Sequence, residues 1–153
     1  MGAIPFQLAM GAAKYKAQGK IGKFNQSVAN RNALILEGQA DQLEAKAEFD
    51  IAQFQKDFRK MEGETKVALA KSGVVMDSGS AYNIQLSNAY EAKLQEQLIK
   101  YNSEVAVANK MEEANFARIS GQMARNEAKL AQISTVAQTG SNIYSMMGGG
   151  KKA

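Results

Sequence analysis

The residues that carry most acid–base and metal chemistry in proteins are missing from this chain. Its 153 residues include no histidine and no cysteine. The commonest general base, the commonest metal ligand and all thiolate chemistry are therefore excluded. Lysine, arginine, aspartate, glutamate and tyrosine remain, and no local motif arranges them for catalysis. The sequence predicts no enzyme, no cofactor and no metal site.

Two short runs imitate functional loops. The Asp-Ser-Gly-Ser run at positions 77–80 has the look of a catalytic serine loop, but without histidine a turn and helix cap is the better interpretation. The Gly-Gly-Gly-Lys run at positions 148–151 lacks the spacing and the following helix of a phosphate-binding loop.

Charge is distributed unevenly along the chain. All 15 acidic residues lie between Glu37 and Glu127, so the two ends together carry +8 and the middle carries −4. The basic residues of the ends are Lys14, Lys16, Lys20, Lys23, Arg31, Lys129, Lys151 and Lys152. Basic ends favour contact with anionic lipid or with nucleic acid, while the plainer alternative is that they only keep sparse ends soluble. For DNA, this leaves non-specific contact with phosphates, because the aromatic stacking platforms used in sequence-specific or single-strand recognition are missing.

Both ends also carry apolar segments next to lysines. Residues 1–13 are apolar and small, and residues 143–153 combine an apolar patch with a basic tail. Each is shorter than the roughly 20 apolar residues of a membrane-spanning helix. They resemble interfacial anchors, or arms packed against a partner. The residues predicted for membrane or partner contact are Ile4, Phe6, Leu8, Met10, Lys14, Lys16, Met146 and Met147.

The elements that position these ends are two long helices. The only proline is Pro5, and proline would cost a helix interior about 3 kcal/mol, so long uninterrupted helices are expected. We predict an arm over 1–24, a first helix over 25–71, a turn over 72–80, a second helix over 81–139 and a flexible tail over 140–153. The turn and helix caps are assigned to Gly73, Asp77, Ser78, Gly79 and Ser80.

The predicted fold class is all-α: a long antiparallel helical hairpin, like a coiled coil. Apolar residues recur at steps of three and four on both helices, which predicts a seam between them. The predicted helix seam consists of Phe54, Phe58, Met61, Tyr90, Leu94, Phe116, Ile119 and Met123. Asn126 lies either within the seam or partly exposed, and Gly63 marks either a bend or a close contact. Two rods bury only one seam, so stability would have to come from neighbouring chains or from the helices folding back at intermediate glycines. Of these we expect packing of several copies, assembled into an oligomeric ring.

The centre of the chain resembles a known family. The runs Ser-Gly-Val at 72–74, Ser-Gly-Ser-Ala at 78–81, Asn-Ala-Tyr-Glu-Ala at 88–92 and Ile-Lys-Tyr-Asn at 99–102 resemble the smallest internal virion protein of T7-like podophages, also described as a core or ejection protein. In that family a turn of this kind separates two helices rich in alanine and glutamine. The similarity covers about residues 25–130 and is clearest over 70–126.

The resemblance implies a structural protein inside the phage capsid near the portal. Its partners would be further copies, other internal virion proteins and the portal, and non-specific contact with genomic DNA is open. After ejection it would reach the host outer membrane and help to form a channel for genome delivery. The apolar run at the N-terminus is brief, so assembled amphipathic helices would be needed there. The alternative is a static scaffold or adaptor without a membrane step, and a basic DNA-packing protein is a third class, disfavoured by the acidic middle.

Overall fold

The chain folds as two long helices packed antiparallel as a hairpin. A computed structural model describes residues 3–73 and 79–148. Helix α1 spans Ala3–Lys71 and helix α2 spans Gly79–Gly148. The all-α hairpin predicted from the sequence is therefore confirmed.

Both helices are longer at the chain ends than the sequence suggested. Helix α1 already includes residues 3–24, predicted as an arm, because Pro5 stands in the first turn, where no helical N–H bond is lost. Helix α2 continues through residues 140–148, predicted as tail. There the Ser145 hydroxyl donates to the Asn142 carbonyl at 2.9 Å. The rest of the predicted tail, residues 149–153, lies outside the described residues.

Gly73 ends helix α1, as predicted. Its φ is +74°, in the left-handed region that glycine adopts without steric cost. Its N–H donates to the Ala70 carbonyl at 3.2 Å, and the Ser72 N–H reaches the Ala68 carbonyl at 3.1 Å. These bonds satisfy carbonyls that would otherwise be unpaired at the end of the helix.

The predicted cap of helix α2 is described only in part. Gly79, with φ +58°, begins the helix, and Ser80 is its second residue, so Ser80 lies inside the first turn. Asp77 and Ser78 lie outside the described residues.

The hairpin consists of two compact units, each built from a segment of both helices. The terminal unit comprises residues 1–36 and 113–153, and the loop unit comprises residues 37–112. The terminal unit carries ten basic residues against two glutamates, for a net charge of +8, and the loop unit carries nine against thirteen, for −4. The two basic chain ends are thus brought together in one unit, as an antiparallel hairpin requires.

The contact between the helices is made of very small residues. Every buried residue in the described part of the chain is an alanine or a glycine. They are Gly22, Ala33, Ala40, Ala81, Ala92, Ala114 and Gly121. Because such residues lack bulk, the helix backbones can approach closely, and a buried methyl group adds only about 0.8 kcal/mol of hydrophobic stabilisation.

Two glycines mark the closest approach, both in the terminal unit. A Cβ added to Gly22 would lie 2.4 Å from the Cβ of Ala128, and one added to Gly121 would lie 2.7 Å from the Cβ of Ala29. Neither distance is physically possible without moving the helices apart. Gly63, by contrast, would meet no atom within 4 Å, so no close contact within the chain requires a glycine there.

The predicted seam is wrong for most of its residues. Phe54 and Phe58 are half-buried and stack with their ring centroids 6.4 Å apart. The other six residues are exposed: Met61, Tyr90, Leu94, Phe116, Ile119 and Met123. Asn126 is exposed as well. Near Gly22 and Gly121 the helices stand too close for large side chains between them, so Phe116, Ile119 and Met123 lie outside. In the loop unit Tyr90 and Leu94 stand two positions on either side of the buried Ala92, about 200° around the helix from it, and therefore face outward.

Candidate functional site

The residues predicted for membrane or partner contact all fall in the terminal unit. Every one whose side chain is described is exposed, from Met10 at 46% to Met147 at 73%. Ile4 belongs to the first turn of α1, but its side chain lies outside the described part of the structure. Their exposure makes contact with a partner or a membrane possible, and the contact itself stays a prediction.

Five cationic side chains gather around one groove of the terminal unit. Helix α1 supplies Lys16, Lys20 and Lys23, and helix α2 supplies Arg125 and Lys129. No aspartate or glutamate lines this groove. We call it the basic groove. Only Lys16 of the five was among the predicted site residues, although the spacing of 16, 20 and 23 already places three lysines on one helix face.

Hydrogen bonds between the helices hold the walls of the basic groove. Arg125 Nη1 donates to Gln26 Oε1 at 3.0 Å, which leaves most of the five guanidinium donors for other groups. Gln132 Nε2 donates to the Tyr15 carbonyl at 2.8 Å. The same amide fills the space above Gly19, where an added Cβ would lie 2.5 Å from it.

An apolar groove adjoins the basic groove on the same side of the terminal unit. It has a volume of about 440 Å³, and Tyr15 lines both grooves. Its other lining residues are Leu8, Gly11, Ala12, Val136, Thr139, Gly140 and Ile143, none of them charged. A charge-free groove and a cationic groove therefore lie end to end with Tyr15 at their junction.

Lys14 lies in a different groove of the terminal unit, lined mainly by amides and hydroxyls. There the Thr135 hydroxyl lies 3.0 Å from Gln18 Oε1 and 2.8 Å from the Ala131 carbonyl of its own helix. Lys14 and Lys16, predicted together, thus face different grooves.

Helix α2 carries its large apolar residues on the face turned away from α1. In the terminal unit each of the two buried residues of α2 is followed two positions later by a large apolar one: Ala114 by Phe116, and Gly121 by Met123. Two residues correspond to about 200° around a helix, which is the opposite face. The outer stripe of α2 in this unit consists of Phe116, Ile119, Met123, Leu130 and Ile133, all at least 52% exposed.

Helix α1 repeats the arrangement in the terminal unit. Phe24 follows the buried Gly22 by two positions, and Ile35 follows the buried Ala33 by two. The outer stripe of α1 consists of Phe6, Met10, Ile21, Phe24, Val28 and Ile35, all exposed. Both helices of this unit therefore present an apolar face that the chain itself does not cover.

In the loop unit, helix α2 presents an exposed apolar face. It consists of Leu86, Tyr90, Leu94, Leu98, Tyr101 and Val105. Between the helices, the Ser103 hydroxyl donates to the Leu43 carbonyl at 3.3 Å, and Ala92 is buried. On α2 of the loop unit the buried Ala92 and the exposed Tyr90 and Leu94 repeat the arrangement of the terminal unit, whereas Phe54 and Phe58 of α1 are half-buried.

Residues 3–73 and 79–148 contain neither a cluster of metal ligands nor a membrane-spanning stretch. No group of three or more acidic side chains in those ranges is placed to hold a metal ion. No helix there contains a stretch that is both long and apolar enough to cross a membrane.

The described residues of the terminal unit combine a cationic surface with exposed apolar surface. The features of this unit are an anion-attracting groove, a neighbouring apolar groove and two uncovered apolar stripes. Comparison of the chain with family models, with curated proteins and with solved structures finds no match.

Proposed function

We propose that this chain is a non-enzymatic structural protein of a tailed-phage particle. In the proposal, several copies form an oligomeric ring inside the capsid near the portal, together with other internal virion proteins. At infection they are ejected and help to form a channel for the genome in the host outer membrane. The family resemblance of the runs between positions 72 and 102 motivates the phage assignment.

One observation carries the assembly part of the proposal: the small residues are buried between the helices, and many large apolar residues are exposed. Among the described residues, the contact between the helices buries only alanines and glycines, while Phe116 and Leu130 are 73% and 67% exposed. Burying a phenylalanine or leucine side chain is worth about 1.5–3 kcal/mol, far more than a methyl group. The larger hydrophobic stabilisation therefore becomes available only when another chain covers the outer stripes.

The exposed area supports the same conclusion. The chain exposes 11711 Å². A compact monomer of its mass would expose about 7,500 Å². The excess is roughly 4,000 Å² per chain. An obligate interface buries about 2,000–5,000 Å² counted over both partners, or about 1,000–2,500 Å² per chain, so the excess is large enough for contacts on more than one side of the hairpin.

Electron cryomicroscopy of the particles with which the chain copurifies tests the proposal. We expect a ring of copies on the portal before infection and density in the envelope after it. A ring that stays in the particle without reaching the envelope would favour the alternative, a static scaffold. A dispersed monomer with no particle association would overturn the proposal.

A paired substitution tests the assembly step alone. Leu130→Glu places a charge in the outer stripe of α2 and should prevent association, as measured by analytical ultracentrifugation. The matched control is Gln122→Glu, which adds the same charge at an exposed position of the same helix outside the stripe. Equal association of the two variants would contradict the role assigned to the stripe.

A further inference from the structure

The basic groove and the apolar groove of the terminal unit together are complementary to an anionic phospholipid, which has a charged headgroup and an apolar acyl chain. We infer that the five cations of the basic groove hold the phosphate of a lipid headgroup while the apolar groove accommodates part of its acyl chain. The inference deepens the membrane step of the proposed function and rests on it for its biological setting. The binding chemistry itself depends only on residues of the terminal unit.

The charge of the basic groove selects an anion. Lys16, Lys20 and Lys23 lie within seven residues of α1, a rise of about 10 Å. Arg125 and Lys129 face the same groove from α2, and its lining contains no carboxylate. Guanidinium and ammonium groups converging from two helices suit a phosphate, which accepts several charge-assisted hydrogen bonds at once.

The adjoining apolar groove selects a lipid among the phosphate-bearing ligands. Its lining is charge-free and runs from Leu8 to Tyr15 on α1, again a rise of about 10 Å. Half of a bilayer's hydrocarbon core is roughly 15 Å thick, so the length is comparable with one leaflet. A duplex DNA bound at the lysines would leave Val136 and Ile143 facing water, whereas an acyl chain covers them.

Along both helices, charge-free segments and cations follow one another in the order expected if the charge-free segments enter the lipid layer. From residue 130 to residue 148, α2 carries no charged side chain, and α1 carries none before Lys14. On α2 the charge-free segment stops at Lys129 of the basic groove, and on α1 it stops at Lys14, two residues before Lys16 of that groove. An apolar end followed by a cationic band is the pattern of an element that lies at the level of lipid headgroups.

Cosedimentation of the purified full-length chain with vesicles tests the inference. The variant Lys16→Gln/Lys20→Gln/Lys23→Gln keeps helix propensity, because glutamine and lysine are nearly equal helix formers. Each lysine near an anionic surface is worth roughly fivefold in affinity, so we expect about a hundredfold weaker binding to phosphatidylglycerol vesicles. Binding to phosphatidylcholine vesicles should be weak for every variant, because that surface carries no net charge.

The control removes three exposed lysines of the loop unit, Lys56, Lys60 and Lys93, by the same change to glutamine. It has the same net charge as the first variant and should bind phosphatidylglycerol nearly as the original chain does. An equal loss in both variants would show that only total charge matters, and the groove assignment would fall. Circular dichroism verifies helix content, and the variant with arginine in place of the three lysines, which keeps the charge, should bind as the original chain does.

A second pair of variants separates lipid from nucleic acid. Leu8→Gln alters the apolar groove and should weaken vesicle binding severalfold without changing binding to a short DNA duplex. Phe49→Gln, on an exposed side chain of the loop unit, is its control. If the lysine variant loses duplex binding as strongly as vesicle binding while Leu8→Gln changes neither, the groove serves DNA phosphates and the lipid inference is overturned.

The outcomes also separate this inference from the proposed function. Lysine-dependent vesicle binding by a chain that forms no particle-associated ring would keep the lipid site and remove the virion assignment. A ring in the particle together with vesicle binding that ignores both grooves would do the reverse.

Discussion

At the closest approach of the two helices, we predict that replacing glycine by alanine lowers the free energy of unfolding or leaves it unchanged. Helix propensity alone would predict an increase. Replacing glycine by alanine inside a helix normally stabilises it by about 1 kcal/mol. At Gly22 the new methyl carbon would lie 2.4 Å from the Cβ of Ala128, about 1 Å closer than ordinary contact allows. The α2 backbone around Arg125 lies only 3.6 Å away, so a side-chain rotation cannot relieve the clash.

The magnitude follows from these two opposing effects. Overpacking a tight contact costs about 1–3 kcal/mol, so Gly22→Ala should be neutral to about 2 kcal/mol destabilising. Gly38 is the matched control, since its added methyl would meet no atom within 4 Å and only the propensity gain remains. The free energies of unfolding of the two variants should therefore differ by roughly 1–3 kcal/mol, with Gly38→Ala the more stable.

Urea denaturation followed by circular dichroism measures this difference. Protein concentration must be held constant, because association of the folded chain would raise its apparent stability. The double variant Gly22→Ala/Ala128→Gly moves the methyl from one helix to the other and should recover most of the loss at the contact. If Gly22→Ala stabilises the chain as much as Gly38→Ala does, the alanine–glycine contact is not the determinant of the hairpin.

Three smaller perturbations follow from the same structure. Gly73→Ala should destabilise by about 1 kcal/mol, because a φ of +74° forces a side-chain-bearing residue into the left-handed region, and a lowered melting temperature would reveal it. Phe58→Ala should cost about 1–2 kcal/mol in urea unfolding, less than for a fully buried phenylalanine, while the exposed Phe49→Ala should cost little. Glu62→Gln removes an exposed ion pair with Lys66 at 2.8 Å and should change stability by less than about 0.5 kcal/mol, an effect that added salt abolishes.

The hairpin itself follows from a few residues that can be read in the sequence. Pro5 is the only proline, and it stands where a helix tolerates it. Gly73 provides the left-handed residue that ends α1. Because a helix requires only local hydrogen bonds, these local signals suffice to place two helices and the turn between them.

The face that each helix turns inward could not be chosen from spacing alone. In α2, the small residues Ala114, Gly121 and Ala128 recur every seven positions, and so does the large set that includes Phe116 and Met123. Both sets have the period of a helix seam, and the expectation that large residues fill it selected the wrong one. Which face of α2 packs inward depends on the residues of α1 at the same level. These are Gly22 and Ala29, which lie against α2 where the helices are closest.

The basic groove, too, could be predicted from the sequence only in part. The α1 lysines share a helix face by their spacing, which the sequence reveals. Which α2 residues complete the groove depends on how far one helix is shifted along the other. That shift is set by contacts such as Gly22 against Ala128 and Gln132 against Tyr15, which link residues more than a hundred positions apart. Arg125 and Lys129 therefore could not be assigned before the register was known.

The two heptad-spaced faces of α2 have a consequence for how this chain is used. The residues of one face follow those of the other by two positions, or about 200°, so α2 can contact a helix on each side at the same time. Helix α1 occupies the side of Gly121, and the side of Met123 and Leu130 is exposed.

In the terminal unit α1 is also apolar on its outer face, at residues such as Phe24. A hairpin with an uncovered apolar stripe on each helix can be extended by placing the α1 stripe of one copy against the α2 stripe of the next. Such head-to-tail contacts close into a ring or continue as a filament, and they do not stop at a two-fold dimer. The proposed assembly would therefore bury the residues that the isolated chain leaves exposed.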